Sequence, residues 1–509
     1  MTDLGTRGVA RRLSLIVVGI GAAVLLLTAL ECALRLLDVG AERGLFTSET
    51  TPDGVQTMRL FWNPQFHKSQ PAQPQRQFLA EKPAGTFRIF VIGESSAEGV
   101  PYGTGLSFSA WLAKRLEAEV PDVRFEVVNT ALAGAQSGSM LAMVRDIAQH
   151  DPDLLVVYLG HNEIGGHLTA EERARLDPNA FDFRAWLARL RMYRLLARAL
   201  PQAEKRLDLH GLERPAAVVP VGTPRNYASE ADRAVIARLY RARIEEMVRI
   251  MRNAGARTAL LTLSQNLSDW PPVVSVHRDG LSPDDAAAWQ AAVDEGDALA
   301  PHDCQAALAA WQRALAIDDG YALLHFKIAN CQRGIGQMDD ARTHFRLASD
   351  LDRFSQGAPL SFNEILRDVA EHEGALLVDV DAVLTDASGD RLVGDDLFVD
   401  AMHPNLRGHQ LIAAAVADVM RQAGIPVPAD RWRVDAYHDP DPDALIAADP
   451  ELGVKELLSR GVVCYAAGRT ECALNKLEAA KMASNDAVTR LMIERGLPPH
   501  AVEDGALRQ

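Results

Sequence analysis

Ser95 lies in the stretch Gly93-Glu94-Ser95-Ser96, directly after an apolar run at residues 87–92 (FRIFVI). A serine just past a parallel strand sits at the sheet's carboxyl edge, where its hydroxyl can be presented as a nucleophile; the same placement also describes a helix cap. A second stretch, Asn129-Thr130-Ala131-Leu132-Ala133-Gly134, ends in a glycine that either makes a turn or lets the backbone approach a ligand and aim an N–H at it. In a third, Gly160-His161-Asn162-Glu163, the Asn162 amide can donate to a developing oxyanion. His161-Asn162-Glu163 also fits the H-x-E half of a zinc-deaminase pattern. No P-C-x-x-C follows anywhere in the chain, so neither a metal nor another cofactor is expected. A fourth stretch, Asp400-Ala401-Met402-His403, carries a carboxylate three residues before an imidazole. That offset lets Asp400 reach back and fix the tautomer of His403, leaving the ring to serve as general base for a serine. Gln265 and Asn266, after residues 258–263 (TALLTL), are candidates for substrate contact, with solvated loop polars as the plainer reading.

These groups need a scaffold that brings distant stretches to one edge. Apolar runs at 87–92, 124–129 (RFEVVN), 154–159 (LLVVYL), 258–263 and 375–380 (ALLVDV) alternate with helical patterns. The helical spacing predicts helices over 107–120, 137–149, 363–373 and 408–421, and a long one with Val235, Leu239, Ile244, Met247, Val248 and Met251 on one face. Near-continuous apolar strands separated by helices predict an α/β fold with a five-stranded parallel sheet covered on both faces. Its site lies beyond the carboxyl ends of the strands, where the four stretches fall.

Taken together and in this order, the four stretches resemble the SGNH hydrolase superfamily, also called GDSL esterases. The resemblance covers about residues 87–421, less two insertions. It implies a flavodoxin-like α/β/α sandwich, a Ser95–His403–Asp400 catalytic triad, and an oxyanion hole from Ser95, Gly134 and Asn162. One departure is G-E-S where the family usually has G-D-S; Glu94 is not the proton-transfer partner, so the chemistry survives while the turn presenting Ser95 is reshaped. Another is the long interval from Glu163 to Asp400. The implied reaction is acyl transfer through an acyl-enzyme, as an esterase or, with a sugar hydroxyl as acceptor, an O-acyltransferase. The expected substrate is an O-acyl (acetyl) group on a glycan or envelope molecule. A scaffold with a silent hydrolase core is the reading from another class.

Composition bounds the rest. Hydrophobic residues are 48% and charged residues 24% of the chain, which is globular usage and excludes a disordered or multi-span protein. A net charge of −15 argues against nucleic acid as a partner. Five cysteines are too few for a disulfide-built scaffold. Residues 13–30 (LSLIVVGIGAAVLLLTAL) are uncharged and follow Arg7, Arg11 and Arg12. Such a run just reaches across a bilayer core of ~30 Å, and the basic flank predicts a cytoplasmic N-terminus. The expected setting is a single-pass anchor in a bacterial inner membrane, with the catalytic domain periplasmic.

The expected organisation is a basic tail at 1–12, a transmembrane anchor at 13–37 and an extended linker at 38–82, which can dock on the domain through Phe61, Trp62 and Phe66. The hydrolase core follows at 83–280, with a helical insertion at 165–228, and resumes at 354–424. Residues 181–200 in that insertion form an aromatic and basic amphipathic helix, read as a lid on the core or a membrane-surface helix. A second insertion at 281–353 carries a repeat: Ala307, Trp311 and Ala314 recur 34 residues later as Ala341, Phe345 and Ala348. Gly336 is echoed by Gly468, followed by Ala473, Leu477 and Ala480 in the C-terminal region 425–509. This period resembles a tetratricopeptide repeat, whose helices are expected to pack together and to offer a surface to a protein partner. The helices could bring Cys304 near Cys331 and Cys464 near Cys472, as two bridges or as buried thiols. The whole layout resembles a bacterial group of membrane-anchored SGNH proteins with such repeats.

Overall fold

The structure, a computed structural model, describes residues 3–37, 39, 44–63, 68–70, 72–164, 190–193, 195, 229–354 and 356–494. The chain divides into two units, Met1–Gly44 with Asp177–Val219, and Leu45–Leu176 with Pro220–Gln509.

In the first unit, helix α1 (Asp3–Leu36) contains the uncharged run. Near its end the Glu31 carboxylate pairs with Arg35 at 2.8 Å and accepts the backbone N–H groups of Arg191 (3.0 Å) and Met192 (3.1 Å). Among the described residues no helix is long and apolar enough to cross a membrane. The expected span over 13–37 is thus not found there; the side chains of residues 1–17, 20 and 24, which carry part of that run, lie outside the description. The amphipathic helix expected over 181–200 lies outside it too, apart from residues 190–193 and 195.

The second unit begins with small antiparallel pairings. β1 (Phe46–Thr50), β2 (Gln56–Leu60) and β5 (Gln77–Leu79) form one sheet, and β3 (Trp62–Asn63) pairs with β4 (Lys68–Ser69). The expected linker docks on the core, with Trp62 half-buried against it but chiefly through Phe46 and Phe78, which meet each other and Phe90 edge-to-face; Phe61 is exposed and Phe66 lies outside the described residues. Next comes the parallel sheet, β6 (Thr86–Gly93), β7 (Arg124–Asn129), β8 (Leu154–Tyr158), β9 (Arg257–Leu261) and β10 (Leu376–Val378), in the order β7-β6-β8-β9-β10. By position in the chain this is 2-1-3-4-5, the flavodoxin-like order. β6 and β8 lie centrally, and every residue of Phe90-Val91-Ile92 and of β8 is buried, as continuous apolar strands require.

Helices α2 (Ser95–Glu98), α3 (Phe108–Glu119), α4 (Ser137–Ile147) and α5 (Glu230–Asn253) follow the first three strands. α5 starts on a capping box in which Ser229 and Asp232 satisfy each other's backbone N–H groups. Its Ile244, Met247, Val248 and Met251 are buried as expected, while in the first turns the buried face is set by Ile236 and Tyr240 and the expected Val235 and Leu239 are only half-buried.

The insertion after β9 is helical. α6 (Pro283–Leu299), α7 (Cys304–Ile317), α8 (Ala322–Gly334) and α9 (Met338–Leu351) form successive antiparallel pairs. The 34-residue echo marks equivalent buried positions, Ala307, Trp311 and Ala314 on α7 and Ala341, Phe345 and Ala348 on α9. α6 and α7 close round Trp289 and Trp311, while Phe345 packs with Leu267, Leu360 and Leu392 of the sheet-bearing part. α10 (Phe362–Glu373), α11 (Val380–Ala387) and α12 (Leu406–Gln422) complete the layers on the sheet. The short α13 (Pro442–Ala448) leads into a hairpin of α14 (Glu451–Ala466) and α15 (Thr470–Glu494). Its Val463, Cys464 and Ala473 cluster with Trp270 and Ala401. The inserted helices do not share one hydrophobic stack with the C-terminal hairpin: α6–α8 close a cluster of their own, and α9 and the hairpin each cluster separately with the part that bears the parallel sheet. Cys304–Cys331 and Cys464–Cys472 are disulfides, one joining α7 to α8 and the other α14 to α15.

Candidate active site

β6 delivers Ser95 to the middle of the sheet's carboxyl edge. Gly93 makes this approach possible: a Cβ there would fall 2.2 Å from the Tyr158 carbonyl oxygen and 2.5 Å from the Ala97 Cβ. Ser95 is the first residue of α2, and its N–H finds no acceptor among the described residues. Its Oγ lies 2.8 Å from His403 Nε2. The other ring nitrogen, Nδ1, lies 2.8 and 2.9 Å from the two Asp400 carboxylate oxygens. With Nδ1–H donating to the carboxylate, Nε2 is the acceptor for the serine O–H.

Asp400 is fully buried. Burial alone would raise its pKa, but the charge and hydrogen bond of His403 and the Met402 and His403 N–H groups, each at 3.1 Å, hold it below the usual carboxylate range. The opposite oxygen accepts the Ser459 hydroxyl at 3.0 Å. Ser96 Oγ donates to the Met402 carbonyl at 2.9 Å, tying the turn that carries Ser95 to the loop that carries His403.

Beyond β7, Gly134 adopts φ +75°, a conformation that favours glycine, and its N–H also has no acceptor among the described residues. This loop is braced from beneath. Glu98 accepts the Ala133 N–H at 2.6 Å and pairs with the buried Arg76, which itself donates to the Ala131 carbonyl at 2.9 Å. Beyond β8, the Asn162 amide donates to the Ala135 carbonyl at 3.1 Å, and Gln136 donates back to the Asn162 carbonyl at 3.0 Å. The Gly134 and Asn162 loops are therefore laced together.

Glu94 anchors this arrangement. It is fully buried, and its carboxyl accepts the N–H groups of Gly160, His161 and Asn162, the last at 2.8 Å. Burial pushes it up to about 8, against the pull of these three donors. The acid beside Ser95 thus clamps the loop that carries Asn162. His161 is buried with Nδ1 accepting the Ala358 N–H at 3.1 Å; burial and the His403 charge push its pKa down to about 3, so it stays neutral. Glu163 accepts the Ser137 N–H and hydroxyl at the start of α4.

Gln265 and Asn266 differ from the expectation of substrate contact. Both are buried beneath α9 and the following loop, and both side chains are engaged by protein. Gln265 donates to Ser349, Asn266 donates to Asp395 at 2.8 Å, and Asn266 Oδ1 accepts the Asp269 N–H at 3.0 Å. They border a cleft with Trp270, Phe345, Gln356 and Ala401, where they fix loops. The sequence reading missed this because the insertion that covers them is distant in the chain. It also missed Arg76, Glu98 and Ser459, for which no local pattern gives a signal.

Residues 91–352 match the GDSL-like Lipase/Acylhydrolase family, and the chain belongs to that family. It is an enzyme that hydrolyses ester bonds. The match ends before Asp400 and His403. Similar solved structures include the acetylxylan esterase Axe2 of Geobacillus stearothermophilus (13% identity, 66% of this chain and 94% of that one, TM-score 0.31). Others are LAE5 from the metagenome of Lake Arreo, Spain (16%, 65% and 94%, TM-score 0.30), and the psychrotrophic esterase EstA of Pseudoalteromonas sp. (11%, 66% and 97%, TM-score 0.29). A comparison with curated proteins finds no match.

Proposed function

We propose that the chain is an exported serine esterase that removes small O-acyl groups, acetyl foremost, from a glycan or other envelope molecule through an acyl-enzyme. The observation that carries the mechanism is the unbroken chain of hydrogen bonds Ser95–His403–Asp400. His403 takes the Ser95 proton as Oγ attacks the ester carbonyl. The Ser95 and Gly134 N–H groups and the Asn162 amide receive the oxyanion, with one such donor typically worth ~2.7–4 kcal/mol. His403 then returns the proton to the departing alcohol, and water, activated the same way, releases the acid. The two disulfides support an oxidising compartment, as does the basic N-terminus followed by an uncharged run. The substrate class rests on family chemistry and on what an exported acylhydrolase meets.

Labelling with a fluorophosphonate probe tests this reading. The wild-type protein becomes labelled and hydrolyses p-nitrophenyl acetate, and Ser95→Ala does neither. A Ser95→Ala protein that still labels refutes the assignment. Adding a sugar acceptor to the same assay separates hydrolysis from transfer, because a transferase moves the acyl group to sugar faster than to water.

A further inference from the structure

We infer that the C-terminal helical hairpin is part of the catalytic apparatus, through Ser459 acting as a positioning residue for Asp400. This rests on the triad proposed above and extends it by one member from outside the region of family match. Ser459 lies in the middle of α14, is buried, and donates its hydroxyl to Asp400 Oδ2 at 3.0 Å. Asp400 Oδ1 already accepts the Met402 and His403 N–H groups, so Ser459 supplies the external donor to the opposite oxygen. The hydroxyl fixes the carboxylate plane against His403 Nδ1 and shares the negative charge while the imidazolium forms.

The hairpin is seated so that this contact is held from several sides. Arg460 pairs with Asp395 at 2.7 Å, on the loop leading into Asp400. Gln356 donates to the Val463 carbonyl at 3.0 Å and accepts the Trp270 indole N–H at 2.8 Å. Arg469, after α14, donates to the Pro271 carbonyl, and Cys464–Cys472 closes the two helices. One turn before Ser459, Glu456 accepts the hydroxyl of buried Tyr102, whose ring meets His409 edge-on. The titratable groups facing the pair are therefore His161 and His409, both held neutral by burial, and Tyr102 with Glu456. None of them replaces the Ser459 donor on Asp400.

Ser459→Ala, made in the full chain, tests the inference against Ser459→Thr. Removing a hydrogen bond to a charged group lowers kcat about tenfold, with KM little changed. The carboxylate, deprived of one donor, holds the imidazolium proton more tightly. The acid limb of the kcat/KM profile accordingly moves to higher pH. Ser459→Thr keeps the hydroxyl and restores both kcat and the profile. If Ser459→Ala matches wild type in both, the inference is overturned. If Ser459→Ala is unstable, fluorophosphonate labelling per folded molecule decides: a wild-type rate also overturns it, and a reduced rate rescued by Thr sustains it. Activity surviving in Ser95→Ala instead brings down the triad assignment itself.

Discussion

Glu94 shows how one carboxyl can organise a site without touching substrate. Its three backbone donors are the N–H groups of the loop that carries Asn162. A Gln at this position offers one oxygen and an NH2 that cannot accept. Glu94→Gln therefore leaves at least one loop N–H opposed by a donor, a loss of about 1–3 kcal/mol. Urea unfolding should register it in stability, and kcat on p-nitrophenyl acetate should fall with it. His409 tells a different story. Both ring nitrogens are buried without a partner among the described residues, and burial lowers its pKa to about 3. The unfolded chain binds that proton near pH 6.5 and the folded chain does not, so this group erodes stability as pH falls from about 6.5 toward 3. His409→Phe keeps the edge-on contact with Tyr102 and removes that slope. Its acid-unfolding midpoint, followed by circular dichroism, should lie at lower pH than wild type. At this scale the sequence was informative where chemistry has a local grammar. Asp400 and His403 are three residues apart, and their orientation follows from that spacing. Glu94 was visible as a departure from G-D-S, but its partners lie on another strand's loop and no spacing announces them.

At the scale of elements, the parallel strands were readable because central strands bury both faces and so write continuous apolar runs; residues 124–129 coincide with β7. Strand β10 is shorter than its apolar run, because Asp379 already caps α11. The helical pairs were legible through small residues at crossings, Ala307 and Ala314 or Ala341 and Ala348. Where those pairs dock was not, since docking depends on surfaces from both sides of the insertion. The cysteines settle into the bridged alternative, and the bridges differ in reach. Cys304–Cys331 spans 27 residues and Cys464–Cys472 spans 8. Loop-closure entropy assigns about 3.5 kcal/mol to the first and about 2.5 kcal/mol to the second. Replacing the Cys304–Cys331 pair by serines should thus lower the chemical-denaturation midpoint more than replacing the Cys464–Cys472 pair. The second replacement should nevertheless cost more activity, because its hairpin carries Ser459.

For the whole molecule, the catalytic part is one sheet whose connections have been enlarged, with the N-terminal strands β1, β2 and β5 and the C-terminal hairpin packed on it. The segment at 38–82 read as a linker because its apolar residues are scattered; only the folded chain gathers Phe46, Leu60 and Phe78 beside Phe90. The proposed export concerns the entire chain and is tested as such. Alkaline phosphatase joined to the C-terminus should be active and a cytoplasm-dependent fluorescent protein dark; the reverse result would place the catalytic part in the cytoplasm. Cell fractionation of the same fusion tells whether it is retained by the membrane.

The hydrogen bond between Ser95 and His403 joins residues 308 positions apart. At a synthesis rate of ~5–20 residues per second, roughly 15–60 s separate the appearance of the proposed nucleophile from that of its proposed base. Throughout that interval the serine is an ordinary hydroxyl. With Ser95 and His403 as the proposed pair, the newborn chain carries its own safety delay: it becomes able to cut esters only after the helical insertion between the two halves of the site has been made.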